Sequence, residues 1–166
     1  MEHLSSHYLT RAEMWLFITT LAYFMMNGAQ LFESVVLVPG WTSTPPESLQ
    51  LLRKIDLKTF WITTHCLHEI TFILAIAFCW KIESVRNGLL GLFVIHFAVR
   101  VWTLLYFAPN IIAFQNADIS LASIPEIAAR TRLWKILNYV RVTIFVVLSL
   151  GLLPLCYRML KMRIPL

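Results

Sequence analysis

Residues Thr59–Trp80 read TFWITTHCLHEITFILAIAFCW, and the two halves of this stretch differ. From Phe72 onward there is no charged or amide side chain, whereas the first half places His65, His68 and Glu69 at i, i+3 and i+4, on one face of a helix. A run of this length covers about 30 Å of hydrocarbon at about 1.5 Å per residue. It has to be helical there, because a lone strand in lipid leaves its backbone groups unpaired. The stretch therefore predicts a membrane helix that carries an expensive polar face in one half and nothing polar in the other.

Three further runs have the same character: Met14–Val38, Gly88–Ala108 and Leu133–Tyr157. The totals agree. Of 166 residues, 58% are hydrophobic and 14% charged, and mean hydropathy is +0.70, far outside the range of a soluble domain this small. The fold expected is all-α, an integral membrane antiparallel four-helix bundle forming a single domain over residues 1–166. The net charge of +5 does not point to nucleic acid, because the basic residues flank the apolar runs as they do in helices that meet phosphate headgroups. The partner implied is the lipid bilayer. Cys66, Cys79 and Cys156 all fall inside apolar runs without a CxxC spacing; Cys79 and Cys156 are expected at one end of the bundle as two buried thiols, with a bridge between them as the alternative.

Local signals set the expected boundaries. Thr10-Arg-Ala-Glu13 reads as a capping box opening a retained first helix, Pro39-Gly40 as its stop, Lys81–Arg86 as a tight connection, and Pro109-Asn110 as the end of the third helix. Ser123-Ile-Pro-Glu126 reads as a second capping box, so that the fourth helix begins near Ile124, and Pro154 is expected to kink its far end. The two longer connections, 39–58 and 109–133, fall on one face of the membrane, and the leucines of Glu47–Asp56 repeat at helical spacing. They read as interfacial loops, with a lid as the alternative. Basic residues are nearly balanced: Arg11, Lys81, Arg86, Arg158, Lys161 and Arg163 on one side, Arg53, Lys54, Lys58, Arg130, Arg132 and Lys135 on the other. The tight basic turn and basic tail favour cytoplasmic termini in a multi-pass protein of the plasma (inner) membrane.

The polar residues within the runs carry the functional argument. Asn27, Gln30, Glu33 and Ser34 lie on the first helix; His65, His68 and Glu69 on the second; His96, Arg100 and Thr103 on the third; Asn138 and Arg141 on the fourth. Each set repeats at helical spacing, and all fall roughly 7–18 Å inward from the side bearing the long loops. Glu33 and Glu69 balance Arg100 and Arg141. An ionisable group at membrane depth costs at least a few kcal/mol, so it faces the interior and finds a partner. A pocket opening toward the loops is one reading; a structural network of ion pairs is the other. In a pocket, His65, His68 or His96 would serve as general base, Arg100 and Arg141 would hold a developing oxyanion, and Glu33, Glu69, Gln30, Asn138 and Asn110 would contact the substrate. His65, Glu69, His96 and Glu33 are also the residues that would hold a metal, and a haem between His65 or His68 and His96 is conceivable, although no cofactor is favoured.

Three stretches resemble one family. Gly28…Phe32-Glu33-Ser-Val-Val-Leu-Val-Pro39, the corner Ala108-Pro109-Asn110, and Trp134-Lys-Ile-Leu137-Asn138-Tyr-Val-Arg141 resemble corresponding motifs of the small four-helix membrane family that includes the anthrone oxygenases. The resemblance implies oxidation of an anthrone-like aromatic to a quinone without an obvious cofactor. Asn138 stands where that family usually has histidine, and asparagine cannot shuttle a proton near neutral pH. The expected function is thus a small membrane oxidoreductase or oxygenase acting on an aromatic or other hydrophobic small molecule. The alternatives are a membrane protein that binds or transports a ligand or ion, and a structural subunit of a membrane complex.

Overall fold

The computed structural model describes residues 5–117 and 124–163. Among them there is no strand. Four long helices, each long and apolar enough to cross a membrane, form an all-α bundle: α1 Ser6–Trp41, α3 Lys58–Phe78, α4 Glu83–Gln115 and α5 Ile124–Arg163. A short helix, α2 Leu49–Lys54, lies in the first long connection, where leucines at helical spacing predict it. The helices pack with opposed register. Thr20 meets Cys156, Asn27 meets the Phe145 carbonyl and Ser34 meets Asn138 along α1 and α5. Phe72 meets Phe93, His68 meets His96 and Glu69 meets Arg100 along α3 and α4.

Three boundaries differ from the sequence-based expectation. Helix α1 starts a turn earlier than the Thr10 box, with Ser5 as N-cap accepting from the Tyr8 N–H at 3.2 Å; Thr10 lies inside the helix and donates to the Ser6 carbonyl. An available serine one turn upstream satisfies the orphan amide first. Neither Pro39-Gly40 nor Pro109-Asn110 stops its helix. A proline ring inside an α-helix removes one hydrogen bond and collides with the carbonyl four residues back. Here the turn before each proline is a π-turn, Glu33–Leu37 in α1 and Thr103–Phe107 in α4. Val38 N–H bonds to the Glu33 carbonyl and Ala108 N–H to the Thr103 carbonyl, five residues back in each case. The wider turn makes room for the ring, and the helix continues to Trp41 and to Gln115. Helix α5 begins at Ile124 as expected and runs through Pro154; the serine of the second capping box, Ser123, lies outside the described residues. The tight turn after α3 is held by Lys81 N–H donating to the Tyr8 hydroxyl at 3.0 Å and by the Arg86 guanidinium 5.2 Å from the Trp80 ring.

The apolar interior comes in two parts. One, on the side of the chain ends, gathers Leu16, Phe72, Leu89, Leu152 and Met159 from all four long helices. Small residues let α4 and α5 approach there: a methyl added at Gly88 would stand 2.5 Å from Leu155 Cδ2, and one at Gly151 would stand 2.9 Å from Leu92 Cδ2. The other part, on the loop side, gathers Val38, Trp41, Leu49, Leu52, Phe107, Phe114, Ile127 and Trp134. It is closed by contacts of Trp41 with Trp134 (4.9 Å) and Phe107 with Trp134 (5.6 Å), and no residue of α3 belongs to it. All three cysteines are free thiols: Cys79 and Cys156 are buried and unbridged, and Cys66 is exposed. Cys66 lies on the α3 face turned away from the polar stripe.

Candidate functional site

Between the two apolar parts lies a layer of polar side chains from all four long helices. Its centre is aromatic and imidazole. Tyr23, His68 and His96 are each about 1% exposed, with ring centroids 4.3 Å apart for Tyr23–His68 and 4.9 Å for His68–His96. The Tyr23 hydroxyl is 3.0 Å from His96 Nδ1, and Phe72 and Phe145 pack against the same rings. Tyr23 is four residues before Asn27 and seven before Gln30, so the stripe that buries those amides also buries its ring.

Around this centre the polar groups form two arms. In one, Asn138 donates to the Ser34 hydroxyl at 3.1 Å and accepts from Arg141 Nη2 at 2.7 Å. The Arg141 guanidinium then lies 4.3 Å from the Phe107 ring, a cation–π contact at the floor of the loop-side core. Asn138 therefore uses both ends of its amide to hold Arg141 in place. In the other arm, Arg100 Nε donates to Glu69 Oε1 at 2.7 Å. Glu33 faces Arg141 electrostatically without an ion pair to it among the described residues, and the Trp61 indole approaches its carboxylate. His65 stacks on Trp61, with ring centroids 5.4 Å apart.

The hydrogen-bond inventory of this layer does not close. Seven buried side-chain atoms have no partner among the described residues: Asn27 Oδ1, Gln30 Oε1, His65 Nδ1, both ring nitrogens of His68, His96 Nε2 and Arg141 Nε. Every one of them belongs to the layer. Buried polar groups are nearly always paired, and leaving one unpaired costs about 1–3 kcal/mol. Such a cluster can be completed from outside the chain, by ordered water or by a ligand.

The expected residues thus converge with two exceptions. Asn110 sits on the loop side, donating to the Tyr106 carbonyl at 2.7 Å and accepting from Arg130 at 3.1 Å, apart from the layer. The Thr103 hydroxyl is turned back onto the Val99 carbonyl at 2.8 Å. Tyr23, Trp61 and Phe107 were not among the residues singled out from sequence, because an aromatic side chain in an apolar run reads as core. The layer also does not open toward the loops, as sequence depth suggests: the Trp41–Phe107–Trp134 cluster covers it on that side. Among the described residues no three His, Cys, Asp or Glu side chains are grouped to hold a metal ion, so His65, Glu69, His96 and Glu33 do not form the expected set. The His68 and His96 rings touch directly, which leaves no slot for a porphyrin between them.

No protein-family model matches the chain, and neither do curated proteins or solved structures. The functional reading therefore rests on the layer itself.

Proposed function

We propose that this chain is an integral membrane protein that binds the oxygen-bearing head of a hydrophobic aromatic molecule in its polar layer and oxidises that molecule. The observation that carries the reading is the convergence of seven unpartnered polar atoms beside two guanidinium groups. Two arginines beside imidazoles suit a carbonyl or phenolate oxygen better than a cation.

The imidazoles divide the work. With the Tyr23 hydroxyl donating to His96 Nδ1, the His96 proton resides on Nε2, which makes that atom a hydrogen-bond donor to substrate. His68, with neither nitrogen engaged, keeps a free lone pair and is the general base. It removes a proton from a carbon activated by the substrate's own carbonyl. The negative charge then moves to oxygen beside Arg141 or Arg100, where preorganised positive charge stabilises it. With dioxygen as oxidant the overall change is CH2 + O2 → C=O + H2O, the type of reaction that the resemblance to anthrone oxygenases implies. Asn138, in this reading, is a positioning residue for Arg141 and has no part in proton transfer. The protein would lie in the plasma (inner) membrane with cytoplasmic termini.

Purified protein in nanodiscs, supplied with anthrone and air, is expected to produce anthraquinone and consume oxygen, with His68→Gln reducing the rate about a hundredfold. Conversion no faster than in protein-free nanodiscs overturns the oxidoreductase reading. A second reading, binding or transport without chemistry, draws on the two π-turns, because such turns inside helices are frequent at functional sites. That reading expects stabilisation by a ligand without product.

A further inference from the structure

The polar layer is covered on both faces: toward the loops by Trp41, Phe107 and Trp134, and toward the chain ends by Phe72, Phe145 and the apolar part beyond them. Its side wall is uneven. Helix α3 contributes nothing to the loop-side core, so on the loop-side half of the bundle the seam between α3 and α4 lacks that filling. The charged pair Glu69–Arg100 stands on this seam. The Glu69 side chain is 38% exposed and that of Arg100 13%, so the pair forms the outer edge of the layer. A carboxylate at this depth and this exposure faces hydrocarbon unless an amphiphile covers it.

Directly below, the same seam forms an apolar groove lined by Ile73, Ile76 and Ala77 of α3, by Trp80 of the turn that follows it, and by Leu90 and Phe93 of α4. Glu69, Ile73 and Ile76 follow one another at four and three residues, a single helical stripe that changes from charged to apolar within one turn and leads to Trp80 in the turn beyond. Phe93 belongs to both regions: it lines the groove, and its ring lies 5.3 Å from Phe72 and 6.2 Å from His96. From Ile73 to the end of the helix at Phe78 the groove runs about 8 Å along the helix, with Trp80 just beyond.

We infer that the site is reached sideways from the bilayer through the α3–α4 seam, and that its occupant is an amphiphile with a phenol- or quinone-like head at Arg100 and an alkyl or isoprenoid chain in the Ile73–Phe93 groove. This rests on the reading of the polar layer as a ligand site and adds the route and the chain. A phospholipid does not fit the same arrangement, because its charged headgroup belongs at the membrane surface and Arg100 lies well below it. Glu69 accepts from Arg100 while the site is empty of the head and shares that guanidinium with the head's oxygen when it arrives.

The test uses the full chain in phosphatidylcholine nanodiscs and a dodecylphenol that carries a diazirine at the far end of its chain. Photolabelling is expected to concentrate on residues 73–80 and 90–93, about fivefold above the lipid-facing side of α5, a preference of about 1 kcal/mol. Arg100→Gln, which removes the partner of the head, and Ala77→Trp, which fills the groove, each bring labelling down to the level of α5. Ala77→Phe serves where the tryptophan variant does not assemble. Even labelling of all lipid-facing helices in the unmodified protein overturns the inference, as does concentrated labelling that persists in Arg100→Gln. The outcome is separable from the oxidation assay: Arg100-dependent labelling without anthrone turnover removes the chemistry and keeps the route, and turnover with even labelling does the reverse.

Discussion

The two halves of this bundle are built from the same four helices by opposite means. On the side of the chain ends the helices are uninterrupted on α1, α3 and α4, the contacts are apolar, and Gly88 and Gly151 let α4 and α5 interlock through Leu155 and Leu92. On the loop side α1 and α4 each contain a π-turn, the rings of Trp41, Phe107 and Trp134 form a cap, and the layer beneath holds seven polar atoms without partners. One half is filled by apolar contacts and carries no charged side chain among its buried core residues. The other tolerates interruptions and unmet hydrogen bonds side by side. The difference separates a half whose packing is complete in itself from a half whose polar groups are left open, as the proposed binding role requires.

Substitutions can break or sharpen this contrast. The largest effect is expected from Arg100→Gln, which leaves Glu69 as an uncompensated charge at membrane depth; stability should fall by about 3 kcal/mol, and the double variant Glu69→Gln/Arg100→Gln should recover most of it. A double variant as unstable as the single one would show that the pair's geometry, not its charge, matters. Next comes Gly88→Leu, on the opposite side of the bundle, where overpacking against Leu155 should cost about 2 kcal/mol in thermal melts. Because this change is remote from the layer, anthrone turnover per folded molecule should remain within about twofold, less than 0.5 kcal/mol. Asn138→Ala frees Arg141 and leaves the Ser34 hydroxyl unpaired, with an expected loss of about 1 kcal/mol and a larger loss in turnover than in stability. Replacement of Asn138 by histidine should restore part of the stability, but it adds no new base if His68 holds that role.

Much of this contrast is legible in the sequence, because it follows from what lipid does to side chains. Length and hydropathy give the four spans, and the expense of an ionisable group in hydrocarbon identifies His65, His68, Glu69, His96, Arg100 and Arg141 as a layer. What the sequence hides is local. Pro39 and Pro109 read as helix ends because a proline breaks an α-helix, and only the coordinates reveal the π-turn that accommodates each ring. Tyr23 and Trp61 are invisible as site residues because an aromatic in an apolar run has the same pattern whether it packs on leucine or on imidazole. Asn110 stands in the corner whose motif resembles the anthrone oxygenase family, while its amide is occupied by Tyr106 and Arg130. Depth counted along the helices says nothing of the aromatic cap above the layer, since that cap depends on how Trp41, Phe107 and Trp134 meet across three helices.

The central claim is that the polar layer exists to bind and not to hold the bundle together, and His68 tests it most directly because neither of its ring nitrogens has a protein partner. The decisive measurement is the thermal melting of His68→Leu against the unmodified protein in nanodiscs with no added ligand. If the imidazole is there for a ligand, the variant loses no hydrogen bond and sheds two unmet ones, so its melting temperature should stay level or rise, by the equivalent of about 1 kcal/mol. A fall as large as that of Arg100→Gln would mean that His68 is structural and would contradict the account.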